Sequence, residues 1–393
     1  MGKLASFEIF LQNHDPIFYA GQTVQGHVSI QLNEPMKIRD ISLKFYGQAK
    51  VHFTERVSRG SGNNRHHETI HYRAEEEYFN QKVLLFGQGK DSVMAPAGQS
   101  VYPFQFTLPP GLPSSFESMY GYVRYWLKAT IDRPWKFDHT TKTAFTVICL
   151  LDLNREPTAT TALQGHDEKT LCCLCCKSGP ISAVFRIDRG GFVPGEAIPI
   201  NVEITNYSSR TINGSKVVLR METLFKARGK MKVESRQLAK IKHDGFKKGE
   251  SDIWRGKAII IPPVPPSFLA GCHIIDIHYY LELIVNPSGL SFEMNIPLEI
   301  IIGTIPLSHI VLQYPPMPPS QPAIYPPVSD DLDGAKPSTP SSPPPSYADC
   351  VFGKVNIKEE EDNEYTGGNL DFAPKYTYYN WGHHPSSPPL DDD

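Results

Sequence analysis

One stretch of the sequence reads Val123-Arg124-Tyr125-Trp126-Leu127-Lys128-Ala129-Thr130-Ile131, in which polar and apolar side chains largely alternate. A period of two is typical of a β-strand that buries one of its faces. The same period returns in residues 24–30 and 41–45, and Gly, Pro, Asn and Asp residues separate such stretches at short intervals. No long stretch has a convincing helical period. The sequence therefore predicts an all-β protein of sandwich architecture.

The chain carries the same features twice, in the same order. The first feature is Phe18-Tyr19-Ala20-Gly21-Gln22-Thr23-Val24, and its counterpart is Phe192-Val193-Pro194-Gly195-Glu196-Ala197-Ile198. The second feature is a proline-rich stretch at residues 108–116, which nearly recurs at residues 261–268. An aromatic, strand-like stretch follows each copy of the second feature. We therefore predict two lobes with the same fold.

These patterns divide the 393 residues into four parts. We predict an N-terminal β-sandwich lobe at residues 1–153, an inter-lobe linker with a cysteine cluster at residues 154–179, and a C-terminal β-sandwich lobe at residues 180–306. Residues 307–393 hold a dense share of the 35 prolines, together with Ser, Asp and Tyr. Such a composition buries too little apolar surface to offset chain entropy, so this tail is predicted to be disordered.

Charge and apolar patterning exclude several classes of protein. The net charge of −3 argues against a chain whose overall charge attracts nucleic acid or anionic lipid. The N-terminus has no signal-peptide pattern, and the most apolar run, residues 274–285, contains Asp276, His278 and Glu282. We therefore expect a cytoplasmic protein whose 7 cysteines are reduced.

Several motifs resemble those of the arrestin domain-containing proteins, or α-arrestins. Residues 120–129 and Asp132-Arg133-Pro134-Trp135 are similar to a hallmark of the N-terminal lobe in this family. Trp254-Arg255-Gly256-Lys257 and Ile302-Gly303-Thr304-Ile305-Pro306-Leu307 resemble its C-terminal lobe. The resemblance implies tandem arrestin-type β-sandwich lobes in a cytoplasmic adaptor, located peripherally at the plasma membrane and endosomes. It also implies that WW domains of HECT-type E3 ubiquitin ligases are recruited to membrane receptors or transporters, which are then ubiquitinated and endocytosed.

The tail contains a PPxY motif formed by Pro344, Pro345, Ser346 and Tyr347. Consecutive prolines favour a polyproline II helix, so little conformational entropy is lost when the motif docks. The proline pair suits the aromatic groove of a WW domain, and the tyrosine reaches an adjacent pocket. A proline-rich tail also produces this pattern by chance. Because the family carries such a motif in this place, we predict that these four residues bind a WW domain.

The resemblance implies a second PPxY motif, since family members usually carry two and gain avidity for tandem WW domains. At the corresponding place this sequence reads Ala373-Pro374-Lys375-Tyr376, which lacks the first proline. Pro374 and Tyr376 are therefore interpreted as a degenerate second motif. With one intact motif, the strength of ligase recruitment is left open.

A run of basic residues lies in the second lobe, with only Glu234 and Asp244 opposing it. Two interpretations fit this run. It is either a surface for phosphorylated receptor tails or an anionic membrane, or else a solvated hairpin. Aromatic residues do not interleave with the run, so nucleic acid is not an expected partner. The candidate patch for an anionic partner comprises Lys226, Arg228, Lys230, Lys232, Lys240 and Lys242.

The letters of a zinc-protease motif, HExxH, occur at His67-Glu68-Thr69-Ile70-His71. That motif needs a helix, so that both histidines reach one metal ion. Here it follows a turn-rich stretch and lies among β-type residues, and on a strand residues four apart are separated by about 13 Å. We therefore predict an exposed hairpin, and a protein without a metal site, a cofactor or catalytic residues.

Cysteines cluster at Cys172-Cys173-Leu174-Cys175-Cys176, with no second pair nearby to complete a zinc site. Inert thiols, palmitoylation and metal binding with His166 are the interpretations left open. Gly2 fits a myristoylation pattern, although the strand-like residues 6–10 favour a structural role for this end. The thioredoxin-interacting branch of the family uses a reactive cysteine just before its Trp-Arg-Gly-Lys, where this chain has Ser251.

The function predicted from these observations is that of a non-enzymatic adaptor between WW-domain ligases and membrane-protein cargo. A retromer-type trafficking scaffold is one alternative, and it would not need a PPxY motif. A metabolic regulator of the thioredoxin-interacting kind is a second alternative. A zinc hydrolase built on His67 and His71 is the third.

Overall fold

The computed structural model consists mainly of β-strands arranged in two lobes, which confirms the predicted fold class. It describes residues 2–13, 15–60, 65–173, 176–289, 293–317, 346–350, 353–359 and 362–381, with the backbone alone for 171–173, 176–178 and 346–349.

The N lobe packs a sheet of order β1-β3-β8 against a larger sheet of order β2-β11-β10-β5-β6, in which β9 also pairs with β10. Strands β4 and β7 form a separate pair. Its strands are β1 (Leu4–Leu11), β2 (Ile17–Tyr19), β3 (Thr23–Leu32), β4 (Met36–Ile38), β5 (Asp40–Arg59), β6 (His66–Gly87), β7 (Val93–Ala95), β8 (Gly98–Thr107), β9 (Phe116–Glu117), β10 (Gly121–Asp132) and β11 (His139–Ile148).

The alternating stretch that predicts the fold forms most of β10. Its odd-numbered residues from Val123 to Ile131 are buried in the lobe core, as the period of two requires. Trp126 lies on the opposite face and yet is only 3% exposed. That face is therefore covered as well, by a segment from much later in the chain.

The C lobe packs a sheet of order β12-β13-β15-β18 against a sheet of order β14-β20-β19-β16-β17. Short 3-10 turns at Leu153–Arg155 and Pro157–Thr160 precede it, and another at Ser267–Leu269 lies within it. A short helix, α1 (Ser308–Gln313), follows the lobe. Its strands are β12 (Leu163–Cys173), β13 (Cys176–Ile187), β14 (Gly191–Phe192), β15 (Ala197–Asn206), β16 (Ile212–Ala227), β17 (Lys230–Phe246), β18 (Ser251–Ile260), β19 (Ile275–Pro287) and β20 (Met294–Ile302).

The predicted linker at residues 154–179 is not a free connector, because strand β12 lies inside it and pairs antiparallel with β13. The sequence signal is weak since β12 is an edge strand with few apolar side chains. Its place is fixed by close packing instead: a Cβ atom at Gly165 would collide with Ile296 of the facing sheet. Residues 163–173 of the predicted linker therefore form a strand of the C-lobe sheet.

The internal repeat has a structural counterpart in two buried tyrosines. Tyr125 of β10 donates its hydroxyl hydrogen bond to the Pro113 carbonyl, with an O···O distance of 2.7 Å. Tyr279 of β19 does the same to the Pro265 carbonyl at 2.6 Å. Each lobe thus pins its proline-rich turn to a central strand in the same way, as expected of two copies of one fold.

The two lobes share one continuous apolar core. Phe225 of β16 in the C lobe reaches across to the N lobe, where its ring lies 6.5 Å from Phe116 and 5.8 Å from Tyr120, measured between ring centroids. Aromatic packing of this kind stabilises the relative position of the lobes.

The C-terminal region contains short strands that pack on the lobes. Residues 353–359 and 362–381, which we call the strap, include β22 (Val355–Asn356), β23 (Thr366–Asn369), β24 (Asp371–Phe372) and β25 (Lys375–Tyr378). Strand β23 extends the large N-lobe sheet by pairing parallel to β11, and β21 (Ser346–Asp349) pairs with β25. The sequence predicts disorder for the whole of residues 307–393. The strap instead forms strands, because the lobes supply the apolar surface that its own composition lacks.

Candidate docking site in the C-terminal region

The predicted WW-binding motif lies at the border of the described residues. Pro344 and Pro345 fall outside them, while Ser346 and Tyr347 begin strand β21 and are described by their backbone. In the antiparallel ladder with β25, Tyr347 is the register partner of Thr377. The end of the motif is therefore held beside the strap as an extended strand.

The degenerate second motif has a structural role. Tyr376 is only 2% exposed, and its hydroxyl donates a hydrogen bond to the Ser115 carbonyl at 2.9 Å. Burial raises the pKa of this hydroxyl well above its usual value. The Pro374 carbonyl accepts a hydrogen bond from the Cys350 amide at 2.9 Å. In this conformation Tyr376 is an anchor of the strap in the N lobe, a role that its interpretation as part of a degenerate motif did not include.

A second tyrosine anchors the end of the strap to the C lobe. Tyr379 is buried, and its hydroxyl donates to the Thr304 carbonyl at 2.8 Å. Its backbone amide donates to the Pro194 carbonyl at 3.0 Å. The ring packs in a small apolar cluster with Leu153 and Val193. The strap therefore runs from the N lobe to the C lobe and is fixed at both.

A buried ionic cluster fixes the middle of the strap. Lys142 of β11 is 0% exposed, and its Nζ donates to Glu359 Oε2 at 2.9 Å and to the Ile357 carbonyl at 3.1 Å. The same ammonium lies 4.4 Å from the centroid of the Trp126 ring, an ordinary distance for a cation–π contact. Asp362 completes the cluster, with its Oδ2 at 3.5 Å from Nζ of Lys142.

The pKa shifts in this cluster show that each charge depends on its partners. Burial lowers the pKa of the Lys142 ammonium, although Glu359 and Asp362 favour its charged form. Burial raises the pKa of the Asp362 carboxyl, but hydrogen bonds from Lys128 and the Glu359 amide outweigh this effect, so the pKa is lowered overall. Removing the strap would leave Lys142 without its acidic partners, so the cluster favours the docked state.

Only a faint sequence signal points to this cluster. Trp126, Lys128 and Lys142 lie on strand positions that the alternation assigns to the solvent face. A tryptophan on such a face, together with the acidic run at residues 359–362, is the observation that points to a covering segment. Which segment covers it is a long-range property that periodicity does not contain.

The basic residues of the candidate patch lie along the β16–β17 hairpin. Two of them face the N lobe: Lys230 is 3.9 Å from Glu55, and Lys232 lies 5.3 Å from the centroid of the Tyr120 ring. Lys240 and Lys242 are exposed farther along β17. Lys230 and Lys232 thus contact the N lobe. Lys240 and Lys242 lie away from this contact, on a surface that an anionic partner can reach.

The HExxH letters lie on strand β6 and not on a helix, as predicted. The His71 ring stacks on that of His52, whose Nε2 is 3.1 Å from His71 Nδ1. Within the described ranges, no group of three or more His, Cys, Asp or Glu side chains could hold a metal ion, and no helix is long and apolar enough to cross a membrane. Cys175 lies outside the described residues, and Ser251 begins β18.

Comparison with known proteins agrees with this architecture. The family model "Arrestin (or S-antigen), N-terminal domain" matches residues 7–154, and "Arrestin (or S-antigen), C-terminal domain" matches residues 177–307. Arrestin domain-containing protein 4 of Mus musculus is 32% identical, over 78% of this chain and 74% of that protein. The chain belongs to the α-arrestins. This α-arrestin is also 29% identical to arrestin domain-containing protein 17 of Caenorhabditis elegans, over 96% of this chain and 100% of that protein.

A third relative of this α-arrestin is the thioredoxin-interacting protein of Sus scrofa, which is 30% identical over 77% of this chain and 75% of that protein. Arrestin-domain proteins of this family are adaptors that bind other proteins. The two lobes and the family resemblance predicted from the sequence are thus confirmed.

Proposed function

We propose that this α-arrestin is a non-enzymatic, cytoplasmic adaptor that brings a HECT-type ubiquitin ligase to membrane-protein cargo. The observation that carries this proposal is the PPxY motif in the sequence of residues 344–347, whose last two residues begin a strand that pairs with the strap. The lobes hold the cytoplasmic part of a receptor or transporter at the plasma membrane or endosomes. The motif holds the ligase, and the cargo is then ubiquitinated and endocytosed.

The structure supports an adaptor in which the ligase is tethered at short range. Strand β21 contains Ser346 and Tyr347, the last two residues of the motif, and pairs with β25, whose Tyr376 is buried in the N lobe. A WW domain bound at the motif would stay close to the lobes and to their cargo. A short tether raises the effective concentration of the ligase at the cargo without any new contact.

The ladder between β21 and β25 also sets a condition for docking. A WW domain encloses the proline pair and the tyrosine of its ligand. In the closed ladder, the backbone of Ser346 and Tyr347 is paired with β25. Docking therefore competes with the ladder, and the apparent affinity is reduced by the fraction of molecules in which the ladder is closed.

The test is the binding of isolated WW domains to the full chain, by pulldown and by titration calorimetry. Tyr347→Ala is expected to abolish binding. Tyr325→Ala is the matched control, because Tyr325-Pro326-Pro327 has its tyrosine on the wrong side of the prolines. Equal binding by wild type and Tyr347→Ala would refute the proposal and favour the retromer-type scaffold, which needs no such motif.

A second candidate function follows from the similarity to thioredoxin-interacting protein. Against it stands Ser251 at the start of β18, since a disulfide with thioredoxin requires a thiol. The expected result is that capture of thioredoxin, if any, is unchanged by reductant and by Ser251→Ala. Capture that reductant abolishes would favour the redox-linked function.

A further inference from the structure

The turn between β10 and β11 projects two aromatic side chains into solvent. Trp135 is fully exposed and Phe137 is 69% exposed. Large aromatic side chains are usually buried, because each carries a large apolar surface. Two of them side by side at one turn form an exposed apolar tip.

The backbone of this turn is strained in a way that the fold does not explain. Trp135 has a φ of 60°, in the left-handed region that favours glycine. Pro134 before it restricts the preceding conformation and sets the turn. A bulky residue at positive φ is costly, and its full exposure means that packing does not offset this cost. Strain of this kind is concentrated at functional sites.

Cations surround the aromatic tip. Arg39, Arg133 and Lys136 line an open cleft of about 980 Å³ together with Trp135, Phe137 and Tyr365. The Arg133 guanidinium donates to the Phe137 carbonyl, with its Nε at 2.8 Å, so it holds the turn in shape. Arg39 lies 2.9 Å from Asp132. Lys136 has no ion-pair partner within the described residues.

The strap contributes to the same surface. Tyr365 stacks on Phe137 with ring centroids 5.9 Å apart, and its ring meets that of His139 edge-on at the same distance. The Tyr365 ring thus packs against Phe137, while the Trp135 side chain is left fully exposed. The tip is therefore a supported projection of the N lobe.

We propose that this turn docks the protein on membranes that contain anionic phospholipid. Tryptophan rings prefer the boundary between headgroups and acyl chains, where an apolar body and a polar N–H are both accommodated. Lys136 follows Trp135 in sequence and meets the phosphate layer, while Arg133 on the other side keeps the turn in shape through the Phe137 carbonyl. A projecting aromatic tip with basic flanks complements a soft, negatively charged surface, whereas a protein partner would require a pocket shaped to receive it.

This inference does not rest on the WW-domain proposal. It gives the adaptor an orientation at the membrane, with the N lobe tip inserted. Because a single tip with few charges binds weakly, the contact is reversible and depends on ionic strength.

Tryptophan fluorescence provides a direct test, since the chain has 4 tryptophans. Trp126 and Trp254 are buried and Trp381 is half-buried, so Trp135 is the one fully exposed reporter among the four. The full chain is mixed with vesicles of phosphatidylcholine alone or with added phosphatidylserine. Anionic vesicles are expected to cosediment the protein and to shift its emission to the blue. Lys136→Ala is expected to weaken binding about fivefold, the effect of one basic residue near a charged membrane.

Two substitutions separate docking from folding. Trp135→Gly removes the strained side chain, so the unfolding temperature should stay the same or rise while vesicle binding is lost. Met119→Ala is the matched control, because Met119 is 74% exposed at a different turn. Glycerophosphoserine, a soluble headgroup, should not compete. Binding by Trp135→Gly equal to that of wild type, no binding by wild type, or full competition by the soluble headgroup would each overturn the proposal, the second outcome pointing to a protein partner.

Discussion

Gly368→Ala is expected to release the strap while leaving both lobes folded. Gly368 lies in β23, opposite Lys142 of β11, and has a φ of 99°. A Cβ atom there would meet the Lys142 backbone, with the amide nitrogen at 2.8 Å and the carbonyl oxygen closer still. Gly353 is the matched control, because its φ is 84° and an added Cβ would meet nothing within 4 Å.

The two substitutions share one cost and differ in another. Each places an L-residue at positive φ, which costs about 1–2 kcal/mol. Gly368→Ala adds a backbone collision, for which overpacking data suggest a further ~1–3 kcal/mol. A difference of about 2 kcal/mol corresponds to a roughly thirtyfold change in the equilibrium for opening the strap.

Hydrogen–deuterium exchange measured by mass spectrometry detects that change directly. Amides of β23 and β25 should exchange roughly thirtyfold faster in Gly368→Ala than in Gly353→Ala, while amides of β10 serve as an unchanged internal reference. The affinity of the Gly368→Ala variant for a WW domain should also rise, because its ladder between β21 and β25 opens more often. Equal exchange in the two variants would refute the view that β23 docks on β11 as described.

Three further predictions test the anchors and the lobes. Tyr376→Phe removes the hydrogen bond to Ser115 and should weaken strap docking by about 1 kcal/mol, seen as faster exchange in β25; unchanged exchange would contradict its anchoring role. The pKa of Asp362 is lowered in the folded state, so its charged carboxylate stabilises the docked strap above the usual carboxyl pKa, and this stabilisation is lost as pH falls below about 4. Near-UV circular dichroism should therefore show a transition near that pH that Asp362→Asn lacks. Tyr125→Phe and Tyr279→Phe should each lower the free energy of unfolding by about 1–3 kcal/mol in urea denaturation, since each leaves a buried carbonyl unpaired; an effect in one lobe alone would argue against equivalent roles.

The sequence predicts those parts of the fold that depend on local pattern. The alternation in residues 123–131 identifies β10, and the repeated turns around Gly21 and Gly195 identify two lobes. The HExxH letters are assigned to a strand because their neighbours are β-type residues. Each of these conclusions uses residues close together in the chain.

The parts that sequence reasoning missed depend on contacts between distant residues. Lys142 looks like a solvent-facing lysine of β11, and becomes a buried ion only because Glu359 is brought over it from 217 residues away. Tyr376 resembles a failed docking motif until the Ser115 carbonyl is found beside its hydroxyl. Strand β12 has little apolar character of its own and is defined by its partner β13.

Proximity labelling in cells compares the partners of wild type, Tyr347→Ala and the control Tyr325→Ala under one condition. A ligase adaptor requires that WW-domain ubiquitin ligases be labelled by wild type and by Tyr325→Ala and be absent with Tyr347→Ala, while membrane-protein cargo is labelled by all three. Ligases that remain labelled with Tyr347→Ala would show that the motif at residues 344–347 is not the docking site.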